Sequence, residues 1–156
     1  GHTTDLVEVW PGRLYRSGLP DEDALRHAGI DVVVNLSGRN PTDLRRAASA
    51  HRLTVNWPIE DDELPDDALL DSLAHWLAGL LLTSEKKVLV HCVASVNRSN
   101  LVIGLALHRY LGWSGDEVIA HLEASSGGYA ILTNRLFREH LGSLPRRAPP
   151  RLDTGQ

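Results

Sequence analysis

A single cysteine, Cys92, stands in this chain of 156 residues. One thiol excludes an intrachain disulfide framework and fits a reducing, cytoplasmic compartment. It also leaves no second thiol to resolve an oxidised Cys92, so sulfenic acid or a backbone sulfenamide would be the internal outcomes. No apolar run reaches the roughly 18 residues of a membrane span, and no signal peptide is read at the N-terminus. Positive charge is not in excess. Sixteen Lys and Arg against 20 Asp and Glu give a formal net charge of −4, so no global field draws the chain to nucleic acid or an anionic membrane. The 8 histidines show no His-x3-His pattern with a carboxylate, so no metal and no other cofactor is expected. There is no internal repeat and no sign of a second domain.

What is present is an ordinary globular composition, 42% hydrophobic and 23% charged. Gly1-His2 resembles a tag-cleavage scar, and residues 1–5 read as scar and flexible N-terminus. Residues 6–142 read as one domain, and the Pro- and Arg-rich 143–156 as a disordered tail. Within the domain, 6–10 and 13–16 read as short strands about the turn Pro11-Gly12, followed by a short helix at 21–28. The β-branched run 31–36 predicts a buried strand, and 53–57 another, with a helix at 42–51 between them. Leu69, Leu70, Leu73, Trp76, Leu77, Leu80 and Leu81 recur at spacings of three and four, which predicts one apolar face on a helix at 66–83. Strand 88–91 then leads to a helix at 98–111 with apolar residues on most sides, the expected central helix. Ser114 and Glu117 form a capping box that starts a helix at 115–124, and a last helix is expected at 130–142. Strands alternating with helices imply an α/β fold. It is read as a single three-layer domain with a mainly parallel central sheet of about four or five strands flanked by about six helices. In such sheets ligands sit beyond the carboxyl ends of the strands, where the loops 37–41, 58–65 and 92–98 would meet.

The loop after strand 88–91 carries the strongest chemical signal. Val93, Ala94, Ser95, Val96 and Asn97 lie between Cys92 and Arg98, and the helix begins at Arg98. A strand-to-helix loop aims backbone N–H groups into one concavity, and the helix N-terminus adds positive potential. An arginine there can fork two phosphate oxygens. A positive field of this kind favours the thiolate, the nucleophilic form of cysteine. The competing reading is a buried core thiol. Thiolate attack on phosphorus also needs an acid for the leaving oxygen, and the acidic loop at 60–63 supplies carboxylates from the same edge.

His91-Cys92, Arg98 and Ser99 resemble the His-Cys-x5-Arg-Ser/Thr signature of the cysteine-dependent protein tyrosine phosphatase superfamily, and the length and element order are most similar to its small dual-specificity branch. The resemblance covers about 8–142 and is strongest at 57–62 and 88–99. It implies a protein phosphatase acting on phosphotyrosine and phosphoserine or phosphothreonine through a phosphocysteine on Cys92. Residues 93–98 would bind the phosphate, and the Ser99 hydroxyl would help the sulfur leave. Pro58-Ile59-Glu60-Asp61 resembles the stretch that holds the family's general acid, which selects Asp61, with Asp62 as runner-up. His91 would stabilise the loop from behind or simply be a core histidine; Asn35 would brace the loops or cap its own turn. Asn134 and Phe137 match a pattern read as structural. The expected partners are a phosphorylated protein or peptide and a phosphate-like anion, and the loop interior holds no lysine of the kind that suits inositol phospholipids.

Ser95 departs from the family, which usually has glycine at that position. Glycine accepts positive φ, so a serine there strains or narrows the loop. The alternative that follows is a phosphate-binding pseudophosphatase or interaction module. A third reading, an RNA 5′-triphosphatase-like enzyme, rests on Asn97 before Arg98 and is disfavoured by the presence of Asp61 and the lack of a flanking basic patch.

Overall fold

The computed structural model describes residues 5–39 and 44–152. Five strands form one sheet: β1 (Val7–Trp10), β2 (Leu14–Ser17), β3 (Val32–Asn35), β4 (Leu53–Asn56) and β5 (Val88–His91). The six helices are α1 (Glu22–Ala28), α2 (Leu44–Ser49), α3 (Asp67–Thr83), α4 (Arg98–Leu111), α5 (Gly115–Ser125) and α6 (Arg135–Gly142). The strand order is β1-β2-β5-β3-β4; β1 is antiparallel to β2 and every other pair is parallel. This is the expected α/β architecture, with element ends moved by a residue or two except at the start of the last helix.

The side-chain pattern explains the layers. Strands β2, β3 and β5 are buried along their whole length, as the Val and Leu runs of β3 and β5 require when both faces are covered. Alternate residues then divide between two cores. Leu14, Val32, Val34, Val88 and Val90 join the large core with α3, α4, α5 and α6, whereas Tyr15, Val33 and Leu89 face a smaller core with Leu25 of α1. Helix α4 is buried from Ser99 to His108, which confirms it as the central helix. Leu69 is an exception to the apolar face expected on α3, for it is exposed.

The last helix is shorter than its sequence suggests. Residues 130–134 are not helical, and α6 starts at Arg135. Asn134 is the N-cap, its side chain accepting from Phe137 N, and Leu132 has a φ of 50°, outside the helical range. The helix expected at 42–51 is found at 44–49, with 42–43 outside the described residues, and the chain leaves it through His51 at φ 55°. Asp5 apart, the scar reading of 1–5 also lies outside the described residues, as does the end of the tail at 153–156. Residues 143–152 have no regular secondary structure. Arg147 N donates to Gly112 O, and Arg146 pairs with Glu117 at 2.7 Å.

One register governs the site. Ser17 lies opposite His91, His91 opposite Asn35, and Asn35 opposite Asn56. Four parallel strands therefore end level, on a row of polar residues. The loops that follow emerge along one edge.

Candidate active site

Cys92 follows β5 directly at that edge, its N–H directed at Ser17 O at 3.4 Å. The residue is 2% exposed, and its Sγ lies 3.5 Å from Ser99 Oγ, one residue into α4. The sulfur thus sits at the floor of the loop beside a hydroxyl, as the spacing predicts.

Around it, the loop carbonyls are tied back into the protein. Ser95 O accepts from Arg16 Nη1 at 3.1 Å and from Asn100 Nδ2 at 3.2 Å; Val96 O accepts from the same Asn100 nitrogen at 3.0 Å and from Leu132 N at 3.0 Å. In a trans peptide the C=O and the following N–H point in opposite directions. Holding these two carbonyls against the body of the protein turns the N–H groups of Val96 and Asn97 the other way, toward the concavity. Asn97 is the N-cap of α4 but makes no capping bond with its side chain. Its Oδ1 instead accepts from Asn134 N at 2.8 Å, so the dipole at the start of α4 is left open to an anion.

Ser95 has a φ of 61°, one of the positive values in this chain that do not belong to glycine. The strain foreseen at this position is therefore present. Its hydroxyl accepts from Arg16 Nη1 at 2.9 Å.

Arg98 extends from the first turn of α4 to the acidic loop. Its Nη1 donates to Ile59 O at 3.1 Å, and its Nε lies 3.8 Å from Asp61 Oδ1. Asp61 is thus the carboxylate of the acidic loop that pairs with Arg98. The same residue is fixed from behind, because Asn134 Nδ2 donates to Asp61 O at 2.7 Å. Asn134 consequently joins the acidic loop, the 92–98 loop and the start of α6.

The remaining candidates lie behind these groups. His91 is fully buried, and its Nδ1 donates to Cys92 O at 3.3 Å; a carbonyl can only accept, so this nitrogen carries the proton. Burial pushes the imidazole down to about 4, against the smaller opposite pull of that hydrogen bond. His91 is therefore a neutral residue that touches the backbone of Cys92. Asn35 accepts from Ser37 N and Ser37 Oγ, and donates to Arg39 O and to Asn56 Oδ1. It caps its own turn and braces the 37–39 segment to β4, and its bonds do not reach the 92–98 loop.

Sequence reading missed Arg16 and Asn100, and took Asn134 as structural alone. Arg16 is 4% exposed on β2, and burial lowers its pKa while the charge of Cys92 raises it. Two clefts open near this edge, and only the first includes residues of the 92–98 loop. One of about 290 Å³ is lined by Arg16, Ser95, Val96, Tyr129 and Ile131; one of about 210 Å³ by Asn35, Arg39, Asn56 and Pro58. A larger cavity of about 430 Å³ between α3, α4 and α6 contains the Asp71–Arg109 ion pair and none of the groups above. Among the described residues no three His, Cys, Asp or Glu side chains gather where they could hold a metal ion, and no helix is long and apolar enough to cross a membrane.

No family model matches the chain, and no curated protein matches it in sequence. Solved structures do. Tk-PTP in its active form superposes with a TM-score of 0.72 at 24% identity, over 88% of this chain and 96% of that one. Human DUSP28 gives 0.69 at 23%, over 87% and 89%. The fold is that of the protein tyrosine phosphatases. A human tyrosine phosphatase-like serine/threonine/tyrosine-interacting protein also shares it, with a TM-score of 0.68 at 17% identity over 88% of this chain and 93% of that one.

Proposed function

We propose that the chain is a cysteine-dependent phosphate monoester hydrolase of the dual-specificity type, acting on phosphotyrosine and phosphoserine or phosphothreonine in proteins. The observation that carries this reading is the joint placement of Cys92, Ser99, Arg98 and Asp61. A buried sulfur lies 3.5 Å from the hydroxyl of Ser99, and the residue before that serine carries a guanidinium whose Nε is 3.8 Å from a carboxylate. The Cys92 thiolate attacks phosphorus while Arg98 and the loop amides hold the phosphoryl oxygens. As the S–P bond forms, the bond from phosphorus to the leaving oxygen breaks, and Asp61 gives that oxygen its proton. Asp61 then takes a proton from water as the water attacks phosphorus. The S–P bond breaks, phosphate leaves, and the Ser99 hydroxyl stabilises the departing sulfur. Arg98 and the amides supply the positive charge at the phosphoryl group, so this cycle needs no metal. The connection at 37–41 offers little sequence for deep pocket walls, which suits phosphoserine and phosphothreonine as well as the longer phosphotyrosine. The single thiol suits a cytoplasmic setting.

A second reading is favoured by Ser95. A residue held at an unsuitable φ stores strain on the order of 1–3 kcal/mol. An anion site with a misplaced thiolate would bind phosphopeptides without hydrolysing them, and a neighbour of the same fold is named as an interacting protein.

Single-turnover kinetics on a phosphotyrosine and a phosphothreonine peptide, with chelator present, separate the two. Release of phosphate from both peptides is expected, and Cys92→Ser is expected to abolish release while still binding peptide. Tight binding by the unaltered chain with no release would establish the second reading. Turnover by Cys92→Ser would remove the phosphocysteine.

A further inference from the structure

Arg16 is a buried charged side chain beside the loop that the mechanism leaves unused. It lies in a strand whose four residues are all buried, and its hydrogen bonds among the described residues both go to Ser95. Its Nε is buried and unpartnered. A guanidinium in such a place is costly unless something negative faces it. Among the described residues no carboxylate is bonded to it. The oxygens it reaches belong to the one residue of the phosphate loop that carries a side chain at positive φ.

We propose that Arg16 is a positioning residue that makes a serine workable at position 95. It takes the Ser95 carbonyl and hydroxyl together, so that the loop stays open for an oxyanion. The inference rests on reading residues 92–98 as an oxyanion cradle. Three observations support it. Both Ser95 oxygens are within 3.1 Å of one Arg16 nitrogen, which fixes the residue on either side of its Cα. Asn100 takes the same carbonyl from the helix side, so Ser95 is gripped from β2 and from α4 at once. The carbonyl so held is the one whose peptide presents the Val96 N–H to the concavity. A glycine would need no such grip, because positive φ is open to it.

The test uses the full chain and inorganic tungstate, read as protection of Cys92 from alkylation by iodoacetamide, with melting curves run in parallel. Arg16→Met and Ser95→Ala are each expected to weaken tungstate about tenfold, and the double variant to be no weaker than Arg16→Met alone, as residues in contact are coupled. Ser95→Gly is expected to stay within about threefold of the unaltered chain, since it loses the hydroxyl and the strain together. Tungstate affinity unchanged in Arg16→Met, or additive losses in the double variant, would overturn the proposal. Should Arg16→Met fail to fold, equal affinities for Ser95→Ala and Ser95→Gly would overturn it with Arg16 intact. Hydrolysis is assayed separately. Coupled losses of tungstate affinity in a chain that hydrolyses no phosphopeptide would leave Arg16 in its role and remove the phosphatase. Hydrolysis with no dependence on Arg16 or Ser95 would do the reverse.

Discussion

Arg98 holds a backbone oxygen with one nitrogen and stands within ion-pair distance of Asp61 with another, so a planar group with several donors is in use before any phosphate arrives. A lysine offers one compact charge and cannot make the fork. Arg98→Lys is therefore expected to lower kcat/KM for phosphopeptides by about 100-fold or more, the scale of losing a preorganised donor. Near-normal kinetics would take Arg98 out of the transition state. Asp61→Ala separates substrates by their leaving group. A phosphothreonine peptide should lose roughly 100- to 10,000-fold in kcat, the usual share of a general acid, while p-nitrophenyl phosphate loses far less. Equal losses would deny Asp61 that role. Cys92, Arg98 and Ser99 were legible at this scale because their meaning lies in sequence spacing, and Asp61 was legible through its neighbours Pro58 and Ile59. Arg16 was not, because its partner is 79 positions away and an arginine in a strand carries no local sign of being buried. Asn134 reads as a structural residue inside the last helix, whereas in the structure it is the N-cap of α6. Its second bond, to the Asp61 carbonyl, appears only when the 58–65 loop and α6 are brought together.

Helices set the stage on which these residues meet, and two glycines show how unequal their sites are. In α3, a Cβ at Gly79 would meet nothing within 4 Å; at Gly115, the first residue of α5, it would fall on the backbone of Leu141 near the end of α6. Gly79→Ala should raise stability by about 0.5–1 kcal/mol through the lower backbone entropy of alanine in the unfolded chain. Gly115→Ala should lower it by about 1–3 kcal/mol or more by forcing α5 from α6. Urea titration of both variants reads the signs directly, and a shared sign would refute the packing argument. Helices α3 and α4 were legible because their apolar residues recur over several turns. The start of α6 was misread because residues 130–134 look like helix locally but give their backbone to the phosphate loop, Leu132 N to Val96 O and Asn134 N to Asn97 Oδ1. Tertiary bonds of that kind leave no period in the sequence.

For the molecule as a whole, the buried neutral imidazole of His91 ties stability to pH. Unfolding returns it to an ordinary value near 6.5, against about 4 in the fold. Between those values the unfolded chain binds the extra proton, so stability is complete above pH 6.5 and declines as pH falls toward 4, by up to about 3 kcal/mol. Glu117 adds a second decline below its ordinary 4.5. The hydrogen bond from Arg146, followed by that from the Ser114 backbone, holds its carboxyl down at about 2. Melting temperatures from pH 7 to 4 should fall for the unaltered chain and fall less for His91→Gln; identical slopes would free His91 of responsibility. The parallel sheet was legible from the strands at 31–36, 53–57 and 88–91 alternating with helices; the level row at its edge was not, because it depends on the register between strands. The division into two unequal cores was not, since it depends on which face each helix covers. The molecule has one more property of this scale. The floor of the loop is its only cysteine, and these 156 residues contain no methionine, so Sγ of Cys92 is the sole sulfur atom among them. X-ray absorption at the sulfur edge, which in most proteins averages many atoms, would here be the spectrum of a single one, and each chemical state of that atom, from thiol to phosphocysteine, would be read from the intact protein in solution without a label.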